Sequence, residues 1–294
     1  MKNFLIERKG AILFVALFSL LFAINSCVKE KPVRAGAAKS IKLSQDIFDY
    51  DLVVRNQVRT VAWTEKDTKQ LLILATADLK SAWEAFKLVS KVLTPGYGGA
   101  AALLAGIGGS LYTWWLTKDE TKSAKIDNPY TPAPNTVTPA NIGKWHNYYL
   151  HQEIIRGAGA SKDLDYMVNN TYNSLLENVS STFGYMSQDL SSIITKDDYK
   201  DIIEESSQNM TIDELHNKAL ADGYSPMLAD YYREFLIRAA NPDNFTYENA
   251  IEYTELFMVD VDQQSALTAS EKDQMKTAIS VYQNSLQYWN YTLK

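Results

Sequence analysis

The chain has one cysteine and three histidines in 294 residues. With a single thiol it cannot form an internal disulfide or a cysteine-based metal cluster, and stability has to come from packing. His146, His151 and His216 are too scattered for a ligand set. His146 and His151 are five residues apart, which places them about 140° apart around a helix, and His216 belongs to another segment. No metal and no cofactor is therefore expected. Basic residues are also in the minority, 29 against 35 acidic. Without residues 1–26 the balance becomes 26 against 34, net −8. That charge argues against recognition of nucleic acid or of an anionic lipid surface by electrostatics alone. No nucleophile motif or other catalytic signature occurs, so no catalytic residue is assigned and the chain is read as a non-enzyme.

The N-terminus is more informative. Lys2, Arg8 and Lys9 precede an apolar stretch from Ala11 to Ile24 interrupted only by Ser19. Such a stretch has the length of an export-signal core and falls short of the roughly 18–20 apolar residues that span a bilayer. The only cysteine follows at once, in Ala23-Ile24-Asn25-Ser26-Cys27. This arrangement resembles a lipobox, the bacterial lipoprotein signal, with Ile24 in place of the preferred Leu and a bulky Asn25, a looser form like that of bacteroidete lipoproteins. The resemblance implies that residues 1–26 are removed and that Cys27 carries a lipid, palmitate among its acyl chains. It also implies a bacterial envelope location at the outer membrane, with periplasmic and surface sides both open. Lys29-Glu30-Lys31 is not an acidic export run.

Residues 27–40 are small and polar and read as a tether. Segment 41–117 reads as N-terminal helices. Asp46–Trp63 is ambiguous and taken as helix. From Asp67, Leu71, Leu74, Ala75, Leu79, Ala82, Trp83 and Phe86 recur at helical spacing up to Pro95-Gly96. A Gly/Ala-rich helix over 98–116 follows, without a charge. Gly98, Ala102, Gly106 and Ser110 lie four apart, and Ala101, Ala105 and Gly109 form a parallel row. One face is nearly bare, so another backbone can approach it closely, with Gly106 and Gly109 against that backbone. Five glycines each cost about 1 kcal/mol of helix propensity, which tertiary packing has to offset. Burial in a core is the favoured reading, with membrane insertion or oligomerisation through 98–116 as the alternative. Trp114-Trp115 suits an interfacial belt or a core plug equally.

Segment 118–139, with Pro129, Pro132, Pro134 and Pro139, reads as an irregular connection. In 140–294, helix starts are expected at Thr138-Pro139, Asp163, Thr211–Glu214, Ser225-Pro226, Thr246 and Thr268–Glu271. The last helix, from Ser270 to about Tyr291, aligns Met275, Ile279, Tyr282, Leu286 and Trp289. Tyr231, Tyr232, Tyr247, Tyr253, Tyr282, Tyr288 and Tyr291 read as half-buried aromatics with wet hydroxyls rather than as a sugar-binding platform. Asp197-Asp198 and Glu204-Glu205 read as solvated carboxylates. The predicted fold class is all-α, an irregular multi-helix bundle around a buried Gly/Ala-rich helix. Segments 41–117 and 140–294 are expected to pack as one domain.

The order of the Gly/Ala-rich helix, Asn128-Pro129-Tyr130, then Ile142-Gly143, His146-Asn147 and Leu150 is similar to that of an uncharacterised family of bacteroidete lipoproteins. In that family a glycine-zipper segment precedes Asn-Pro and Gly-x-x-His-Asn-x-x-Leu. The resemblance covers about residues 97–151 and departs at Tyr148-Tyr149, where the family has small or acidic residues. It implies a shared architecture and origin and no activity. Gly143, His146 and Asn147 are the candidate motif residues, functional or structural. The partners implied are a membrane, through the N-terminal lipid, and an unidentified envelope protein.

Overall fold

The structure, a computed structural model, describes residues 43, 65–90, 97–118, 137–157, 162–208, 210–239 and 246–293. The export signal, Cys27, the tether, the Asp46–Trp63 helix, Asn128-Pro129-Tyr130 and most of the proline-rich connection lie outside the described residues. Among the described residues there are ten helices and no strand: α1 (Glu65–Ser90), α2 (Tyr97–Thr117), α3 (Ile142–Arg156), α4 (Leu164–Phe183), α5 (Ser187–Ile193), α6 (Lys196–Ser207), α7 (Ile212–Ala221), α8 (Pro226–Ala239), α9 (Tyr247–Gln263) and α10 (Ala269–Leu293). The all-α bundle read from the sequence is the fold observed.

Helix α2 is the axis of the assembly. Fifteen of its 21 residues are buried, from Gly98 to Trp114. It packs against α1, α3, α4, α5, α6 and α10. A helix with small residues on every side can accept neighbours on every side, and the buried Leu103, Leu104, Ile107, Leu111 and Trp114 fill the gaps between them. None of the described helices is long and apolar enough to cross a membrane. Helix α10 runs along the other side of the same core, contacting α1, α3, α9 and α2. Its predicted stripe, Met275, Ile279, Tyr282, Leu286 and Trp289, is fully buried.

Local signals account for most helix ends. Thr211 and Glu214 form the expected capping box, as do Thr268 and Glu271. Asp163 caps α4, Thr246 caps α9 and the Ser225 hydroxyl accepts from the Leu228 N–H before α8. Each cap satisfies an amide that the helix itself leaves unpaired. Helices α3 and α4 stop at Gly157 and Gly184, both left-handed, with φ of 68° and 70°.

The structure corrects three expectations. Pro139 does not occupy the first position of a helix. Thr138–Asn141 is a turn in which the Thr138 N–H donates to Asn141 Oδ1 at 2.9 Å and the Ile142 N–H donates to the Thr138 carbonyl at 3.1 Å, so α3 begins at Ile142. Helices α5 and α6 have no counterpart among the expected starts. The α6 cap is a Thr195/Asp198 box that uses Asp where Glu is commoner, which places Asp198 in a capping role. The tyrosines of the second half are more deeply buried than half: Tyr231, Tyr232, Tyr282 and Tyr288 are at most 1% exposed. Three of the four hydroxyls bond inside the protein, Tyr282 to the Ala239 carbonyl at 2.6 Å, Tyr231 to Asp260 at 3.2 Å and Tyr288 to His151 at 3.0 Å, while that of Tyr232 is buried without a partner among the described residues.

Candidate functional site

The bare face of α2 is occupied by side chains from its neighbours. A Cβ on Gly106 would stand 3.3 Å from His146 Cδ2 and 3.5 Å from Val281 Cγ1. One on Gly108 would meet Tyr199 and Ile203, and one on Gly109 would run into Ser81. One on Gly98 would strike the Phe86 ring, while Ala102 is wholly buried. This corrects the expectation of a backbone against Gly106 and Gly109: the nearest neighbours at these glycines are side chains, because His146, Val281 and Ser81 reach into the space that the missing side chains leave. The tightest approach to backbone is elsewhere: a Cβ on Gly143 would collide with the Ser280 carbonyl on α10, and the Gly143 N–H donates to Ser280 Oγ at 3.1 Å. In Gly-x-x-His-Asn the glycine brings α3 against α10, and His146 and Asn147, three and four residues on, point into the same seam.

That seam holds the least expected residue of the core, Asp78 of α1. Its carboxyl is wholly buried. Oδ2 accepts from Ser110 Oγ at 2.6 Å and from Ser285 Oγ. It also lies 3.7 Å from His146 Nε2. The Trp289 indole favours the ionised carboxylate without reaching hydrogen-bonding geometry, and Oδ1 has no partner. Burial dominates and pushes the carboxyl up to about 8, so Asp78 is uncharged at neutral pH. His146 is equally buried. Burial lowers its imidazole to about 4, against smaller opposing effects of Asn147 and the Gly106 carbonyl.

The hydrogen bonds fix the ring's tautomer. Asn147 Nδ2 donates to the Asn284 carbonyl at 2.7 Å, which leaves Asn147 Oδ1 facing His146 Nδ1 at 3.3 Å. An amide oxygen only accepts, so Nδ1 carries the hydrogen and Nε2, the nitrogen towards Asp78, is the one that titrates. Aspartate, histidine and serine are therefore assembled in one place, but not in the order of a hydrolytic triad. There, serine donates to the imidazole and the carboxylate accepts from its far nitrogen. Here both serines donate to the carboxyl, the far nitrogen bonds Asn147, and all four side chains lie within fully buried residues.

Four other titratable side chains, His151, His216, Lys218 and Lys80, bond neighbouring groups of the protein. His151 Nδ1 meets the Tyr288 hydroxyl at 3.0 Å inside the core. His216 pairs with Asp230 at 2.8 Å near the surface. Lys218 ties α7 to α1 and α6 through Glu84 and Glu205, each at 3.0 Å, and bonds Asp222 at 2.7 Å. Lys80 is lowered to about 8 by burial and donates to the Gln208 carbonyl at 2.7 Å. Glu204 is exposed. No group of three or more potential metal-ligating side chains occurs among the described residues.

The sequence reading singled out Gly106, Ser110, Gly143, His146 and Asn147 and treated the α2 residues and the His-Asn motif as separate features. The structure joins them through Asp78 and Ser285, which that reading passed over. Both had a signal. Asp78 stands on the apolar stripe of α1, four residues after Leu74 and four before Ala82. Ser285 stands between Tyr282 and Trp289 on the stripe of α10. No family profile matches this chain, and no characterised protein or solved structure shows significant similarity to it.

Proposed function

We propose that this chain is an envelope lipoprotein, held to a membrane by acylation of Cys27, whose helical bundle serves as a non-catalytic binding or structural module for another envelope component. The observation that carries the reading is the enclosure of the Asp78–His146 cluster. The one concentration of triad-type groups among the described residues is sealed within the core and bonded to itself. A reacting group needs a substrate within hydrogen-bond reach, and wholly buried side chains offer none. The lone cysteine at the end of an apolar leader supplies the anchor in this reading.

A second reading, insertion or oligomerisation through 98–116, draws on the absence of charge in α2. It is less well supported. Withdrawing Leu103, Leu104, Ile107, Leu111 and Trp114 from the bundle would forfeit on the order of 10 kcal/mol of apolar burial, at about 1.5–3 kcal/mol per side chain.

Growth of cells expressing the chain with a radiolabelled fatty acid tests the anchor. Label is expected on the wild-type protein and absent from Cys27→Ser, which should leave the membrane fraction. Label persisting in Cys27→Ser refutes lipidation at this position.

A further inference from the structure

We propose that Asp78 and His146 hold one proton between them and that closure of α1, α2, α3 and α10 around the pair takes up this proton, making the core a latch that loosens on the alkaline side of neutrality. The geometry supplies the count. Nδ1 of His146 is committed to Asn147, so only Nε2 and the Asp78 carboxyl can exchange a proton, and they face each other at 3.7 Å. Neutral acid with neutral imidazole, and carboxylate with imidazolium, differ only in where that proton sits. Either arrangement leaves the cluster without net charge. Two protons or none would leave a bare charge in the core.

Among the described residues no other charge faces the pair. On α1, Lys80 turns to Gln208 and Glu84 to Lys218. Helix α2 has no charged side chain, and its Tyr112 is only half-buried and feels Glu204 and Asp163. On α3, Lys144 is exposed, Glu153 pairs with Arg156, and His151 meets Tyr288. On α10, Lys276 joins Asp262 beyond the bundle's centre, and Tyr282 bonds the Ala239 carbonyl.

The sign follows from linkage. The raised carboxyl favours the closed state at low pH, an advantage lost as pH climbs from 3.8 towards 8. The depressed imidazole favours it at high pH, an advantage lost as pH falls from 6.5 towards 4. Between about 4 and 6.5 the two slopes cancel, because open and closed states each hold one proton. Above 6.5 the open state holds none, and closure weakens by about tenfold per pH unit until the closed pair releases its proton near 8, about 30-fold in all.

The test is hydrogen exchange of the full-length chain in detergent, followed by mass spectrometry of peptides covering 97–117 and corrected for the intrinsic pH dependence of exchange. Wild-type protection should be level between about pH 4.5 and 6 and fall about 30-fold by about pH 9, while peptides from α7 stay level. In Asp78→Asn the alkaline fall should vanish and an acid-side fall appear between 6.5 and 4, since only the imidazole remains. Nitrogen NMR of the wild-type His146 ring provides a reading that needs no variant: Nδ1 should stay protonated from pH 5 to 9. A flat wild-type profile, an alkaline fall that survives in Asp78→Asn, or a bare Nδ1 would each overturn the latch.

Discussion

Replacing Gly143 with alanine puts the close contact between α3 and α10 to the test. The new methyl group would collide with the Ser280 carbonyl oxygen, stand 2.7 Å from the Ser280 carbonyl carbon and 2.5 Å from Asn284 Nδ2. The carbonyl belongs to the backbone of α10 and cannot rotate out of the way, so the helices have to part. Overpacking of this kind costs about 1–3 kcal/mol. Separation also stretches the Gly143 N–H to Ser280 Oγ bond, whose net contribution is about 1 kcal/mol. Against this stands the helix propensity of alanine, about 1 kcal/mol in mid-helix and less at the second residue of α3. The balance is a loss of about 2 kcal/mol.

Gly106→Ala is the internal control. Its methyl group would lie 3.3 Å from His146 Cδ2 and 3.5 Å from Val281 Cγ1, which a few tenths of an ångström of side-chain movement relieves. Mid-helix propensity then balances or outweighs the crowding, and the change should lie within about 0.5 kcal/mol of zero or be stabilising. Urea unfolding followed by far-ultraviolet circular dichroism gives both values, and for a unit of this size 2 kcal/mol corresponds to roughly 4–8 °C in Tm. If Gly143→Ala proves as stable as Gly106→Ala, the close contact drawn between α3 and α10 is wrong.

Two further substitutions probe other parts of the argument. Gly106→Leu pushes a full side chain into the space of His146, and should lower Tm by several degrees without creating liposome binding; vesicle leakage caused by the wild-type protein and abolished by Gly106→Leu would favour the membrane-active reading instead. Thr195→Ala removes a capping box at an exposed helix start and should cost about 1 kcal/mol in urea unfolding, and an unchanged stability would show that α6 is not capped as described.

How much of this was legible in the sequence depends on the range of the interaction concerned. Helices α1, α2 and α10 were readable because their apolar periods are long, and the caps at Thr211, Thr246 and Thr268 because a cap is settled within four residues. Helices α5 and α6 escaped for the same reason in reverse. Helix α5 has seven residues and one buried side chain, Leu190, too few to establish a period, and α6 begins with Asp at the box position. The Asp78 cluster was unreadable as a cluster because its members lie 32 and 207 residues from Asp78 in the two serine bonds. What the sequence did show was an acid on an apolar stripe. A charged residue there is either neutralised or paired, and asking which partner it had was the step that would have led from Asp78 towards a buried histidine.

The same contacts change how the Gly/Ala-rich helix is understood. A stripe of small residues is usually taken to mean that two helices touch backbone to backbone. In α2 the missing side chain at Gly106 makes room for an imidazole, and four residues later Ser110 supplies a hydroxyl to the carboxyl that the imidazole faces. Glycine and serine one turn apart thus do two jobs on one face, giving space and giving a donor. A helix of alanine alone would drive methyl groups into Phe86, Tyr199, Ile203 and Ser81 and leave Asp78 one hydrogen bond poorer, while larger residues would exclude His146. The composition of α2 is therefore set by a polar pair on two other helices as much as by the need for close packing, and membrane insertion need not be invoked to explain it.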